Sequence, residues 1–143
     1  MKKILFIFAA FFIMVQVACH KKDETQSKTS ILTSGSWILT AATHDNDGNG
    51  SYETDDLAGF TSCFTDNIWT FLSNGKLQMD EGATKCDPGD PQTENVNWQL
   101  TNNEATLVIE GDSYSIEELS NSTLRFKQTL GGNRSSMVTF KKR

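Results

Sequence analysis

The chain has 143 residues, 37% hydrophobic and 22% charged, with 18 acidic against 13 basic side chains and a formal net charge of −5 at pH 7. That length supports one hydrophobic core and not two. The acidic balance, with no cluster of Lys and Arg in the body of the chain, argues against nucleic acid or an anionic lipid surface as the partner.

Residues 1–18 read MKKILFIFAAFFIMVQVA: two lysines, an apolar run from Ile4 to Val15, and small Ala18 immediately before Cys19. This is the layout of a secretory signal peptide, and the apolar run is short for spanning a bilayer. The stretch VQVAC resembles the lipobox of bacterial lipoproteins, with Gln16 standing where that family usually has leucine. The resemblance implies cleavage before Cys19 and acylation of Cys19, with palmitate-like chains holding the protein to a membrane of the cell envelope. Several acyl chains anchor firmly, because each buried methylene contributes about 0.8 kcal/mol. The expected location is therefore the outer membrane, lipid-anchored, facing either the periplasm or the exterior.

Residues 19–33 begin HKKDETQSKTS after the cysteine, lack apolar periodicity, and are expected to form a flexible tether. Lysine followed by Asp23 and Glu24 also resembles a surface-export tag of lipoproteins in one Gram-negative phylum. Loss of residues 1–18 removes two basic and no acidic side chains, leaving a formal charge of −7 on the remainder.

The domain proper is expected over residues 34–143. Eight strands are predicted, at 36–43, 67–73, 76–81, 94–101, 104–110, 112–119, 122–130 and 134–142, because most of them alternate apolar with polar residues. Asn74-Gly75, Asn102-Asn103, Gly111-Asp112, Asn121 and Gly131-Gly132-Asn133 supply the turn residues of tight hairpins. Only YSIEELSN, within 114–121, could compete as a helix. One apolar face runs through Trp37, Leu39 and Ala41, then Trp69, Phe71, Leu77, Met79, Val96, Trp98 and Leu100. It continues through Ala105, Leu107, Ile109, Tyr114, Ile116, Leu124, Phe126, Leu130, Val138 and Phe140. One-faced strands joined by short links must curl into a closed or layered sheet, and the prediction is an all-β, eight-stranded, antiparallel up-and-down barrel.

The first connection is long and contains HDNDGNGSYETDD, residues 44–56, with five carboxylates in thirteen positions. Laid on a twelve-residue calcium loop, it offers Asp45, Asp47, Asn49, Ser51, Glu53 and Asp56 as ligands, with Gly50 at the sharp turn. Asp56 is a methylene shorter than the usual bidentate glutamate. The expectation is a weakly held calcium ion in an EF-hand-like loop between strands. The competing reading is a solvated acidic loop. Cys63 and Cys86 remain once Cys19 is assigned to lipid, and outside the cytoplasm an even pair is most simply a disulfide.

Gly35-Ser36-Trp37 at the head of the first strand, the long Asp/Asn/Gly-rich connection, the short hairpins and the cysteine within CFTDNIWTF together resemble the small lipocalin-like bacterial lipoproteins. The resemblance implies that Trp37 closes the barrel floor under an arginine, with Arg125 and Arg134 both available, and that the first connection lies over the open end. It also implies a small, largely apolar guest. Trp69, Phe71, Trp98, Leu107, Tyr114 and Phe126 are the expected lining, each of which could equally be plain core. Catalysis is not expected: neither His20 nor His44 has a partner recognisable from spacing, and there is no phosphate cradle, zinc set or Ser-His-Asp order. The acids around Cys86, in MDEGATKCDPGDPQTEN, could form a second cation site, but such acids more often keep a loop soluble. The competing function is a surface interaction module with a filled barrel.

Overall fold

A computed structural model describes residues 26–143. The expected signal peptide, Cys19, His20 and the first part of the tether lie outside the described residues. Eight strands form the barrel wall: β1 (Ser36–Asp45), β3 (Ile68–Phe71), β4 (Lys76–Asp80), β5 (Thr93–Thr101), β6 (Thr106–Ile109), β7 (Asp112–Leu119), β8 (Thr123–Gly131) and β9 (Arg134–Lys142). Successive strands pair antiparallel, and β1 closes the ring by pairing with β9 on one edge and with β3 on the other. Closure satisfies the backbone groups that an open sheet would expose at its edges. The two-residue strand β2 (Thr54–Asp55) adds to the upper part of β1. The segment that could compete as a helix is strand β7, because alternate side chains Tyr114 and Ile116 turn to the interior while Ser115 and Glu117 stay exposed.

The residues expected to be the end of a tether are part of the domain. Lys28–Thr33 form a short helix, α1, whose N-cap Ser27 accepts a hydrogen bond from Ser30 N at 3.1 Å. Leu32 is fully buried, and its carbonyl accepts a bond from Trp37 Nε1 at 3.0 Å. The helix is also fastened to the β5–β6 turn. The Glu104 carboxylate accepts from Lys28 N, Thr29 N and Thr29 Oγ1, and Lys28 Nζ donates to the Glu104 carbonyl. Glu104 holds a left-handed backbone, φ 61°, after Asn102 and Asn103, which tolerate that region better. These bonds to α1 are what stabilise it there, and they hold its carboxyl below the ordinary range, with the Thr29 hydroxyl contributing most.

α1 plugs one end of the barrel. Above it, Trp37, Phe71, Leu77, Trp98, Leu107 and Leu124 fill the interior and leave almost nothing exposed. The Trp98 ring donates to the carbonyls of Leu72 and Lys76, at 3.1 and 3.0 Å, so its one polar atom is paired. The cation over the Trp37 ring is neither available arginine but Lys142, whose Nζ lies 5.6 Å from the ring centroid. Arg125 points away to Glu118, and Arg134 sits at the far hairpin. Gly35 makes room for this arrangement, since a Cβ there would meet Lys142 Cε at 2.6 Å.

A bulge between Leu39 and Ala41 shifts the inward parity of β1, so Ala42 is buried where alternation indicated Ala41. A second irregularity, between Thr129 and Gly131, leaves Leu130 exposed, and Ala105 lies exposed in the turn before β6.

Candidate functional site

The interior is not filled throughout. At the end away from α1, inward residues of five strands surround a cavity of about 260 Å³: Leu39 from β1, Trp69 from β3, Tyr114 from β7, Phe126 and Gln128 from β8, and Ser136, Val138 and Phe140 from β9. A smaller lobe of about 160 Å³ shares Leu39, Trp69 and Phe140 with it, and is walled by Phe60, Phe64 and Asn67 of the first connection. Aromatic contacts fix the wall. Trp69 lies 4.7 Å from Phe140, Tyr114 meets Phe126 edge-on at 5.0 Å, and Phe126 stacks on Phe140 at 5.8 Å. Burial, and secondarily the carboxylate of Asp112, pushes the Tyr114 hydroxyl above its ordinary pKa, so it stays a neutral donor and acceptor at physiological pH.

Three of the six expected lining residues, Trp69, Tyr114 and Phe126, line this cavity. Phe71, Trp98 and Leu107 do not; they lie in the filled half beside α1, and that expectation is corrected. The interior thus divides by level along the barrel axis, which residue type does not reveal. Sequence reasoning passed over Gln128 and Ser136 because they are polar. Carrying the two-residue period on from Phe126, and back from Val138, would have reached both.

The first connection is built onto the barrel at several points. Cys63 of α2 (Ser62–Thr65) is joined to Cys86 of the β4–β5 connection, as expected from their number. Beside the disulfide, Asp66 Oδ2 accepts from Ala83 N and Thr84 N at 3.1 and 2.9 Å. Gly82, φ 70°, passes so close that a Cβ would lie 2.3 Å from the Asp66 carbonyl oxygen.

Of the six expected calcium ligands, Asp45, Asp47 and Asn49 are neighbours in the turn, whereas Asp56 is drawn elsewhere. Asp45, almost fully buried, spends its carboxylate on Gly48 N and Gly50 N at 2.8 and 2.9 Å. The Gly50 bond is the main reason its pKa lies below the ordinary value. Asp47 and Asn49 bond to each other and Asn49 accepts from Ser51 N, while Glu53 makes no hydrogen bond among the described residues. Asp56 is drawn to His44, Oδ2 to Nδ1 at 2.6 Å, because β2 carries this part of the loop back along β1. Among the described residues no three His, Cys, Asp or Glu side chains converge as a metal requires, near the loop or near Cys86. The acidic turn is held by hydrogen bonds to its own backbone.

His44, which sequence spacing left without a partner, therefore has a carboxylate. In the strand register it also lies opposite Ser136, and Ser136 opposite Gln128. Among the described residues the Ser136 hydroxyl makes no hydrogen bond to His44, so no Ser-His-Asp relay is formed at the rim.

The fold is similar to a lipocalin-like protein from Bacteroides uniformis ATCC 8492, with 19% sequence identity, a TM-score of 0.49, and coverage of 79% of this chain and 99% of that one. Comparison with curated proteins finds no match. Residues 33–126 match the model of the lipocalin-like domain, a span running from the end of α1 into β8 and including Trp37, both bridged cysteines and most of the barrel wall. The chain belongs to the family of lipocalin-like domains.

Proposed function

We propose that the protein is a carrier that holds a small, largely apolar molecule in the mouth of its barrel, carries out no reaction on it, and is fixed to the outer membrane by lipid on Cys19. The observation that carries the binding reading is the cavity above the filled core, with aromatic and aliphatic walls and polar groups at one end. Ligand sites are typically concave, mostly apolar and sparsely polar in this way. Its volume of about 260 Å³ has room for roughly eight or nine water-sized groups, so the guest is small. Tyr114 is the single titratable side chain among the residues lining the main cavity, which gives a bound molecule no paired acid and base.

The test is a fluorescent apolar dye titrated into the purified protein, with Val138→Trp as a variant that fills the cavity. Saturable binding that the variant abolishes supports the carrier. Equal binding by both, or none by either, overturns it. The lipid anchor rests on VQVAC in the sequence, and incorporation of labelled palmitate that is lost in Cys19→Ser would establish it.

A second reading, an interaction module, draws on Phe60 and Phe64, which are 45% and 56% exposed beside the mouth. Their replacement by serine would abolish association with a macromolecular partner if that reading held.

A further inference from the structure

We propose that the guest carries an extended apolar chain, and that Phe60 and Phe64 of the first connection hold the far end of that chain. This rests on the carrier reading and assigns the shape of its guest. The main cavity and the smaller lobe share Leu39, Trp69 and Phe140, so the two spaces adjoin along those three side chains. Beyond them the lobe is walled by Phe60, Phe64 and Asn67. The amide nitrogen of Asn67 faces the carbonyls of Glu81 and Cys63, at 3.1 and 3.0 Å, and is spent on them. The lobe therefore offers a guest apolar surface and almost no hydrogen bonding. At the other end stand Gln128 and Ser136, with exposed Arg134 two residues from Ser136 on the same strand parity. A guest that reaches both ends is polar beside β8 and β9 and apolar under the first connection, since a polar group in the lobe would lose its hydrogen bonds to water.

Phe60 and Phe64 are large exposed aromatic rings whose centroids lie 6.1 Å apart. Their segment is not free to fold them inward. Cys63, next to Phe64, is bridged to Cys86, and Asp66 is bonded to the backbone of Ala83 and Thr84. Two apolar rings are thus held over an apolar space, and a chain entering the lobe covers ring surface that is otherwise exposed. The volumes set the length. The main cavity takes about eight or nine groups of water size, and the lobe, at about 160 Å³, adds roughly five. Counted in non-hydrogen atoms, octanol matches the first space and dodecanol matches both together.

The experiment is displacement of the bound apolar dye from the purified protein by octanol and by dodecanol, read as the ratio of their affinities within each protein. A buried methylene contributes about 0.8 kcal/mol, roughly fourfold in affinity, and the lobe is partly open, so dodecanol should bind at least about tenfold tighter than octanol. Phe60→Ser with Phe64→Ser removes the outer wall and should lower that ratio at least about fivefold. Cyclododecanol, with the carbons of dodecanol closed into a compact ring, should bind wild type less tightly than octanol, because it exceeds the main cavity and cannot extend into the lobe. A smaller wild-type ratio overturns the assignment, as does a smaller effect of the paired replacement, cyclododecanol equal to or better than octanol, or a dye that neither linear alcohol displaces. All of these leave the carrier reading standing. A dye that does not bind at all removes the carrier reading, and this assignment with it.

Discussion

Replacing Leu32 with alanine separates a plug from a tether. Leu32 has no exposed surface and packs into the cluster containing Trp37, Phe71 and Leu124. Deleting a buried leucine side chain costs its transfer free energy plus the cavity left behind, about 2.7 to 5 kcal/mol in closed cores. The Trp37 Nε1 bond runs to the Leu32 backbone carbonyl and survives the change, so the loss reports packing alone. A domain of this size is stable by about 5 to 15 kcal/mol, so the variant should forfeit about a fifth of that or more. The thermal midpoint should fall by roughly 10 to 20 °C. Urea unfolding followed by tryptophan fluorescence gives the free energy directly, with exposed Ser30→Ala as a control expected within about 0.5 kcal/mol of wild type. A Leu32→Ala loss below about 1 kcal/mol would refute the reasoning, because residues 28–33 would then be behaving as a tether.

Replacing Cys63 and Cys86 together by alanine should lower stability by about 3 to 4 kcal/mol, from the unfolded-state freedom of the 23-residue separation they span, and urea midpoints close to wild type would contradict this. Asp45 has a depressed pKa in the fold. The stability it contributes is complete above the ordinary aspartate value of about 3.9 and is lost as pH falls through the lower native value. Asp45→Asn should therefore flatten the acid limb of stability against pH, leaving the slopes owed to Asp80 and Glu104; parallel curves for variant and wild type would refute it. If the acidic loop takes calcium as its residues suggest, millimolar calcium should raise the thermal midpoint saturably, with Asp56 leaving His44 to join the ion; an unchanged midpoint would count against the calcium loop. Gly82→Ala should destabilise the disulfide-bridged connection because its Cβ would fall 2.3 Å from the Asp66 carbonyl oxygen, and an unchanged urea midpoint would show that the loop yields without cost.

What the amino-acid order determined by itself was local and repetitive. Alternation of apolar and polar residues, broken by Asn and Gly at the hairpins, located all eight wall strands to within about two residues at each end. An even pair of cysteines was enough to name the bridge. The six residues of α1 escaped, because two adjacent apolar side chains, Ile31 and Leu32, show no period; only the empty barrel floor gives them a place. The parity of β1 beyond Thr40 escaped for a related reason, since a bulge is a property of two strands in register and not of one. The candidate site was half legible. Trp69, Tyr114 and Phe126 were recognisable as interior, but Phe71, Trp98 and Leu107 have the same character and lie in the solid half. Depth along the barrel axis is set by strand tilt and pairing register, which tie together residues tens of positions apart. The same holds for Asp56, whose spacing suits a metal ligand but whose strand pairing delivers it to His44, and for Lys142, brought over Trp37 by the pairing of the last strand with the first.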